Sequence, residues 1–263
     1  DYEADVEIAI ENANLAWKHA KRENKRDIMF YDPKLRMERS EEQRVVGEFF
    51  EALYRDDFRM YLQPKFILGD RRVYGAEALA RWKRPDGSIL TPAGFIEPLE
   101  KIGYITELDF YMFEEVLKTL DKWDRQKRRN IVVSTNFSGR HFDTDGEPFL
   151  ERIGNILSKY SVPTELVEIE VTESVLVKNV EVLEKCMNRL HEMGFRTAID
   201  DFGTGYSSLS VLADIPADVI KIDKSFLNKN LSGTKLSLLN EVGRMVRILQ
   251  KDVIVEGVET ADQ

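Results

Sequence analysis

Arg196-Thr197-Ala198-Ile199-Asp200-Asp201-Phe202-Gly203-Thr204-Gly205-Tyr206-Ser207-Ser208-Leu209 is the run from which the fold is read. A short apolar segment ends in two adjacent carboxylates. Glycines and hydroxyl residues follow, and then the chain turns apolar again. A buried strand of this kind delivers Asp200 and Asp201 together to the rim of a sheet. Gly203 and Gly205 let the next loop bend back over whatever the carboxylates hold. Like charges side by side are unfavourable unless a cation lies between them. A divalent metal meets that need, because hard cations take oxygen ligands. The bland alternative is that an Asp ahead of a helix is only an N-cap, so the rest of the chain must decide.

Outward from this run, short apolar segments alternate with helical stripes. Upstream, Val180, Leu183, Met187 and Leu190 recur at helical spacing and stop at Gly194, a C-cap residue. Residues 166–171 are strand-like, contain Glu168 and Glu170, and end at Thr172-Glu173. Ile153, Ile156, Leu157 and Tyr160 mark another helix, and Ile131-Val132-Val133 a strand ending at Asn136. Phe113, Leu117 and Leu120, with Val116 and Trp123 beside them, form a further helical stripe. Residues 73–76 lead into Glu77-Ala78-Leu79-Ala80-Arg81-Trp82, with a turn at Pro85-Asp86-Gly87. Residues 58–68 read as a strand containing Gln63-Pro64. Downstream, Val219-Ile220 leads into Lys221-Ile222-Asp223. Leu239, Val242, Val246 and Leu249 make a helix, and Val253-Ile254-Val255 runs into Glu256-Gly257-Val258-Glu259. This steady alternation predicts parallel βα units. A chain of 263 residues has room for one α/β barrel of ~250 residues.

The N-terminal part is different. Val6, Ile10, Ala13, Trp17 and Ala20 predict one helical face, closed by a basic run over residues 18–26. Residues 28–31 predict a short strand, stopped by Asp32-Pro33. Residues 34–43 read as a charged linker entering a helix with Val46, Phe49 and Leu53 on its apolar face. This helix and strand have no evident core of their own and read as the tail of a preceding domain. The net charge of −9 argues against binding polymeric nucleic acid through its backbone. Cys186 is the only cysteine, so no intrachain disulfide forms, which suits a reducing compartment. No apolar run approaches a membrane span and the N-terminus has no signal-peptide character. The expected location is cytoplasmic, as a soluble piece of a longer protein.

The polar residues decide the chemistry. Glu77, Asn136, Glu170, Asp200, Asp201, Lys221 and Glu256 each lie in or directly after an apolar strand run. In a (β/α) barrel the strand C-termini converge at one mouth, where the active site sits, and charged groups are rarely buried there without partners. The expectation is a ring of oxygen ligands aimed at one point. Carboxylates plus an Asn amide favour Mg²⁺ or Mn²⁺ over Zn²⁺. His19, His141 and His191 have no metal-ligand spacing and read as surface residues. Asp200 and Asp201 at one edge suit two metals, an arrangement that activates water and stabilises a phosphoryl transition state. Arg81 and Lys221 supply charge for a phosphate. Hydrolysis of a phosphate ester follows from these parts. A barrel glycosidase, needing only a carboxylate pair, is the rival from another class.

The residues Glu77-Ala78-Leu79-Ala80-Arg81-Trp82, Glu170-Val171-Thr172-Glu173-Ser174, the run from Asp200 to Leu209, Lys221-Ile222-Asp223-Lys224-Ser225-Phe226 and Glu256-Gly257-Val258-Glu259-Thr260 together resemble the motif set of EAL-domain phosphodiesterases. The resemblance implies an α/β fold of the (β/α)8 TIM-like type over residues 41–263, C-terminally incomplete and lacking its last strand in this chain. Residues 1–40 more weakly resemble the tail of a GGDEF domain plus a linker, which implies upstream GGDEF and sensory domains in the parent. The implied activity opens cyclic di-GMP to linear pGpG with Mg²⁺ or Mn²⁺, two ions in all. Glu77, Asn136, Glu170 and Asp200 match a first metal site, and Asp200 and Asp201 a second. Lys221 and Glu256 match catalytic positions, and Glu173 a loop tether. Gln63 and Arg81 match substrate contacts. A homodimer through the loop and helix after Asp201 is also implied. A non-catalytic cyclic di-GMP sensor is the alternative within the family. Asp201-Phe202-Gly203 is shared with kinases, but no kinase Gly-rich loop precedes it.

Overall fold

A computed structural model describes residues 2–22, 28–69, 71–128, 131–205, 209–227 and 233–260. Tyr206, Ser207 and Ser208 of the opening run, and residues 23–27 of the basic run, lie outside the described residues. The chain begins with α1 (Tyr2–Arg22) and α2 (Pro33–Tyr54), then β1 (Phe58–Phe66), β2 (Val73–Lys83) and β3 (Ile89–Leu90). Next come α3 (Ile96–Ile102), α4 (Ile105–Arg125), β4 (Val132–Phe137), α5 (Glu147–Leu157) and β5 (Val167–Thr172). They are followed by α6 (Ser174–Lys178), α7 (Val180–Glu192), β6 (Arg196–Phe202) and α8 (Leu209–Asp214). The described chain ends with β7 (Val219–Ile222), α9 (Gly233–Ile248) and β8 (Asp252–Val255).

The strands form one curled sheet in the order β1-β2-β4-β5-β6-β7-β8, with β3 hung on β2. From β2 onward the path is parallel, as in a (β/α)8 barrel open along one seam. β1 and β8 end the path and are not paired with each other among the described residues. The first strand departs from the expected βα repeat. β1 runs antiparallel to β2, with Gln63 opposite Glu77 and Arg59 opposite Arg81.

Alternation along each strand divides apolar from charged residues. In β5, Val167, Ile169 and Val171 join the apolar core under the helices, whereas Glu168 and Glu170 are buried on the other face. The helices present the matching stripes. Phe113, Val116, Leu117 and Leu120 of α4, Phe149 and Ile153 of α5, and Leu183, Met187 and Leu190 of α7 are all buried in that core. Gly194 has a φ of +89° and ends α7 as expected. Gly87 has a φ of +85° in the turn at Pro85-Asp86-Gly87, where Asp86 Oδ1 accepts from Ser88 N at 2.8 Å.

Several N-terminal expectations are corrected. Residues 28–31 form no strand, and residues 34–43 are helical. Asp32 caps α2 by accepting from Lys34 N at 2.9 Å, and Pro33 opens the helix. The Asp-Pro pair is therefore a helix start, since Pro needs no hydrogen-bond partner in the first turn. α1 is a helix, yet Val6, Ile10 and Trp17 of its expected face are exposed. Among the described side chains of α1, Leu15 and Ala16 are buried, and Arg36 of α2 reaches Glu11 at 2.9 Å. His141 is not a surface residue but is buried, its Nε2 3.0 Å from Asp109 Oδ2, with its ring against Phe110, Phe137 and Phe149. His191 is partly exposed and contacts Asp218 and Thr197. Cys186 is buried and free, and burial pushes its thiol up to about 11. No helix among the described residues is long and apolar enough to cross a membrane.

Close strand packing gives a direct test. A Cβ at Gly75 in β2 would meet Val132 O of β4 at 2.5 Å, backbone against backbone. Gly75→Ala should cost about 1–3 kcal/mol in urea unfolding, the usual scale for overpacking. Gly47→Ala, mid-helix with nothing within 4 Å, should instead gain about 0.5–1 kcal/mol.

Candidate active site

Six strands bring polar side chains to one mouth. Glu77 comes from β2, Asn136 from β4, Glu170 from β5, Asp200 and Asp201 from β6, and Lys221 from β7, while Glu256 directly follows β8. Lys221 Nζ stands at the centre. It lies 3.1 Å from Glu77 Oε2, 2.8 Å from Glu170 Oε2, 2.9 Å from Asp200 Oδ2 and 2.9 Å from Glu256 Oε1. Asn136 Nδ2 donates to Glu77 Oε1 at 2.8 Å. The expected convergence of these residues on one point is therefore observed. An N-cap role for Asp200 is excluded, since its carboxylate faces Lys221 within the barrel.

Adjacent strand residues ordinarily point to opposite faces. Asp201 has a φ of +55°, and the β6–β7 register shifts between Ile199 and Phe202. That irregularity turns Asp201 back toward the rim, so that both aspartates share it. Asp200 Oδ1 also accepts from Asp201 N at 2.8 Å. Glu173, at the end of β5, is not in the carboxylate cluster. Its Oε2 accepts from Gly203 N at 2.8 Å and Gly205 N at 3.0 Å, and so ties down the loop after Asp201.

Electrostatics explain how so much acid stays together. Burial opposes the charge on Lys221, but Glu170, Glu77, Asp200 and Glu256 outweigh it and hold the ammonium well above the usual lysine range. Burial raises the Asp200 carboxyl against the pull of Lys221, and with repulsion from Glu170 and Glu256 it reaches about 7. Burial, then Glu170, raises Glu77. Burial, then Glu256 and Asp223, raises Asp201. Burial also acts on Glu170, yet Lys221 and Lys65 together bring it below its ordinary value.

Gln63 and Arg81 stand on the rim rather than in the cluster. Gln63 is exposed opposite Glu77. Arg81 lies over the Tyr61 ring at 5.7 Å and donates to Ala80 O at 2.8 Å. Lys65 is the functional neighbour that sequence reasoning missed. Its Nζ lies 2.7 Å from Glu170 Oε1 and 2.9 Å from Glu168 Oε1. The signal was present, because Lys65 sits two residues from Gln63 on one strand and therefore on the same face.

Glu77, Glu170 and Asp200 each offer an oxygen within 4.8 Å of the others, and Asp200, Asp201 and Glu256 do the same. Asp200 belongs to both triads. All the donors are hard carboxylate oxygens, the set that suits Mg²⁺ or Mn²⁺ rather than Zn²⁺. The residues present thus fit a divalent cation.

The chain is similar to several known proteins. The signalling protein YkoW of Bacillus subtilis is 34% identical over 255 residues, 97% of this chain but 32% of its own length. The cyclic di-GMP phosphodiesterase NbdA of Pseudomonas aeruginosa is 30% identical over 258 residues, 98% of this chain and 33% of its own length. The chain thus spans about a third of these curated relatives. Among solved structures, the PaMucR phosphodiesterase in complex with c-di-GMP superposes with a TM-score of 0.77 at 28% identity, covering 83% of this chain and 88% of that one. The EAL-domain family model matches residues 47–263, and the chain belongs to that family.

Proposed function

We propose that this chain hydrolyses cyclic di-GMP to linear pGpG with the help of two divalent ions, Mg²⁺ or Mn²⁺. The observation that carries this reading is the set of four carboxylates, from four separate strands or strand ends, within 3.1 Å of Lys221 Nζ. The phosphodiesterases among its relatives supply the substrate class. Glu77, Asn136, Glu170 and Asp200 would hold one ion, and Asp200 and Asp201, with Glu256 beside them, the other. When bound, such ions supply Lewis-acid stabilisation of phosphoryl oxygens and make water a stronger acid.

The chain's own residues do the rest. Lys221 stays charged, so it donates hydrogen bonds rather than accepting a proton. It orients the attacking water or neutralises charge that develops on phosphorus. Glu256, with 27% of its side chain exposed at the rim, is placed to position that water or take its proton. Arg81 is free of carboxylate partners among the described residues and suits a phosphate fork. Gln63, opposite Glu77, offers an amide to a base. Glu173 keeps the loop after Asp201 closed on the site.

The same reading extends to the surroundings. Residues 1–40 belong to a GGDEF-like tail and linker, and the parent carries upstream GGDEF and sensory domains in the cytoplasm, on its own or beneath a membrane anchor. α2 runs unbroken across that boundary, so a helix joins the two parts. A second copy docks through the loop and helix after Asp201.

Incubation with cyclic di-GMP and Mg²⁺ or Mn²⁺ should yield pGpG, and EDTA should stop it. Intact substrate with retained binding would favour a sensor, and turnover insensitive to EDTA would reject the metal role. Glu77→Ala should lower turnover about a hundredfold or more while keeping a cooperative melt, because it removes an unfavourable buried charge. Loss of folding would make Glu77 structural.

Lys221→Ala should lower kcat by about 10²–10³ with little change in KM, the scale for one transition-state donor. A rise in KM alone would overturn that role. The raised Asp200 carboxyl, at about 7, sets a pH dependence. A cation needs the carboxylate, so Mn²⁺ binding should release a proton and tighten between about pH 6 and 8, as read by calorimetry in buffers of different ionisation heat. The sign for the metal-free fold is opposite. The native state holds a proton that the unfolded state has lost, so stability falls as pH rises from about 4 through 7.

A further inference from the structure

Below the mouth, the barrel interior carries a second ionic layer. Glu168 and Glu170 lie two residues apart on the same face of β5, and both side chains are fully buried. Successive same-face residues stand about 7 Å apart, so these are two like charges without water to separate them. Lys65 Nζ enters between them, 2.9 Å from Glu168 Oε1 and 2.7 Å from Glu170 Oε1, with 10% of its side chain exposed. It comes from β1, while β2 and β4 separate β1 from β5 in the sheet. The contact therefore crosses the interior and does not follow the strand ladder. On its far side Glu168 Oε2 faces Arg196 Nε at 3.5 Å. Neither atom has a hydrogen-bond partner.

The two oxygens of Glu170 are divided between two lysines. Oε1 is taken by Lys65 from below, and Oε2 faces Lys221 Nζ, which also meets Glu77 Oε2 and Asp200 Oδ2. We propose that Lys65 is a positioning residue for cation binding: by holding Glu170 Oε1 it fixes the other oxygen toward the mouth. This rests on reading the mouth as a divalent-cation site. A buried carboxylate without that lower partner is free to offer both oxygens to Lys221, and it then withdraws from the ligand set. The competing role is charge balance alone, in which Lys65 only neutralises Glu168.

Titration of the full chain with Mn²⁺, followed by the electron paramagnetic resonance of the free ion, separates the two roles. Lys65→Met should weaken Mn²⁺ binding about 10–100-fold, the usual loss when a ligand's supporting partner is removed, with a cooperative melt retained. Lys65→Met combined with Glu168→Gln should keep that loss, since Glu170 still lacks its lower partner. Wild-type affinity in either variant overturns the proposal, and recovery in the double variant assigns Lys65 to charge balance. If Lys65→Met does not fold, the double variant decides, because it removes one buried cation and one buried anion together. Hydrolysis of cyclic di-GMP by the unaltered chain is measured separately. Mn²⁺ binding without hydrolysis rejects the phosphodiesterase reading and leaves the role of Lys65 to the affinities. Absence of Mn²⁺ binding rejects both.

Discussion

A single buried ammonium, that of Lys221, has four carboxylates around it, and the rest of the molecule is arranged to keep them there. Charge taken out of water is costly unless paired and hydrogen-bonded. Here the carboxylates of the mouth outnumber the ammonium groups that face them. The imbalance appears in the upward shifts of Glu77, Asp200 and Asp201. Only Glu170, with a lysine on each oxygen, moves the other way. A site optimised for stability alone would hold fewer acids or more bases. The surplus of negative charge makes sense as an invitation to divalent cations, and the hard-oxygen donor set points the same way.

Holding that surplus takes a rigid frame. Alternation along the strands sends apolar residues outward to α4, α5 and α7 and charged residues inward. The helices then grip the strand ends directly. Asp109 of α4 accepts from Ser138 N at 2.8 Å, two residues beyond Asn136, and from His141 at 3.0 Å. Burial raises the Asp109 carboxyl, and its two partners favour the ionised form that can accept both bonds. The end of β4 is thereby fixed to a helix that contributes nothing to the mouth itself. His141 serves this brace, which explains why it sits among Phe110, Phe137 and Phe149.

What was legible in the sequence follows from the same energetics. Acids at the ends of apolar runs are expensive, and so Glu77, Glu170, Asp200 and Glu256 stand out without any coordinates. Helical stripes such as Phe113, Leu117 and Leu120 are equally plain, because burial needs one face. Strand direction is not encoded that way. A β1 of alternating residues reads alike whether it runs parallel or antiparallel, and on its inward face Gln63 was assigned while Lys65 was not. Asp32-Pro33 was ambiguous for a related reason, since the pair that ends a strand also begins a helix. The face of α1 was misjudged because Trp17 and Ile10 are apolar yet exposed. Leu15 and Ala16 are buried instead.

The loop after Asp201 shows how local backbone and distant chemistry become one unit. Its glycines are required by contact as well as by bending. A Cβ at Gly203, where φ is +98°, would collide with the Phe226 ring, and one at Gly205 would meet the Glu173 carboxyl at 3.1 Å. Glu173 also donates its own N–H to Asp200 O at 2.8 Å. One residue thus holds the backbone at the first aspartate and, through its carboxylate, the two amides that follow the second. Asp201 lies between these restraints with a left-handed φ, a conformation that costs energy for any residue other than glycine. Its orientation is set by the loop, and the loop by Glu173. Any shift of this loop is therefore passed to Asp201 through backbone hydrogen bonds. Such a shift needs no contact with the carboxylate cluster itself.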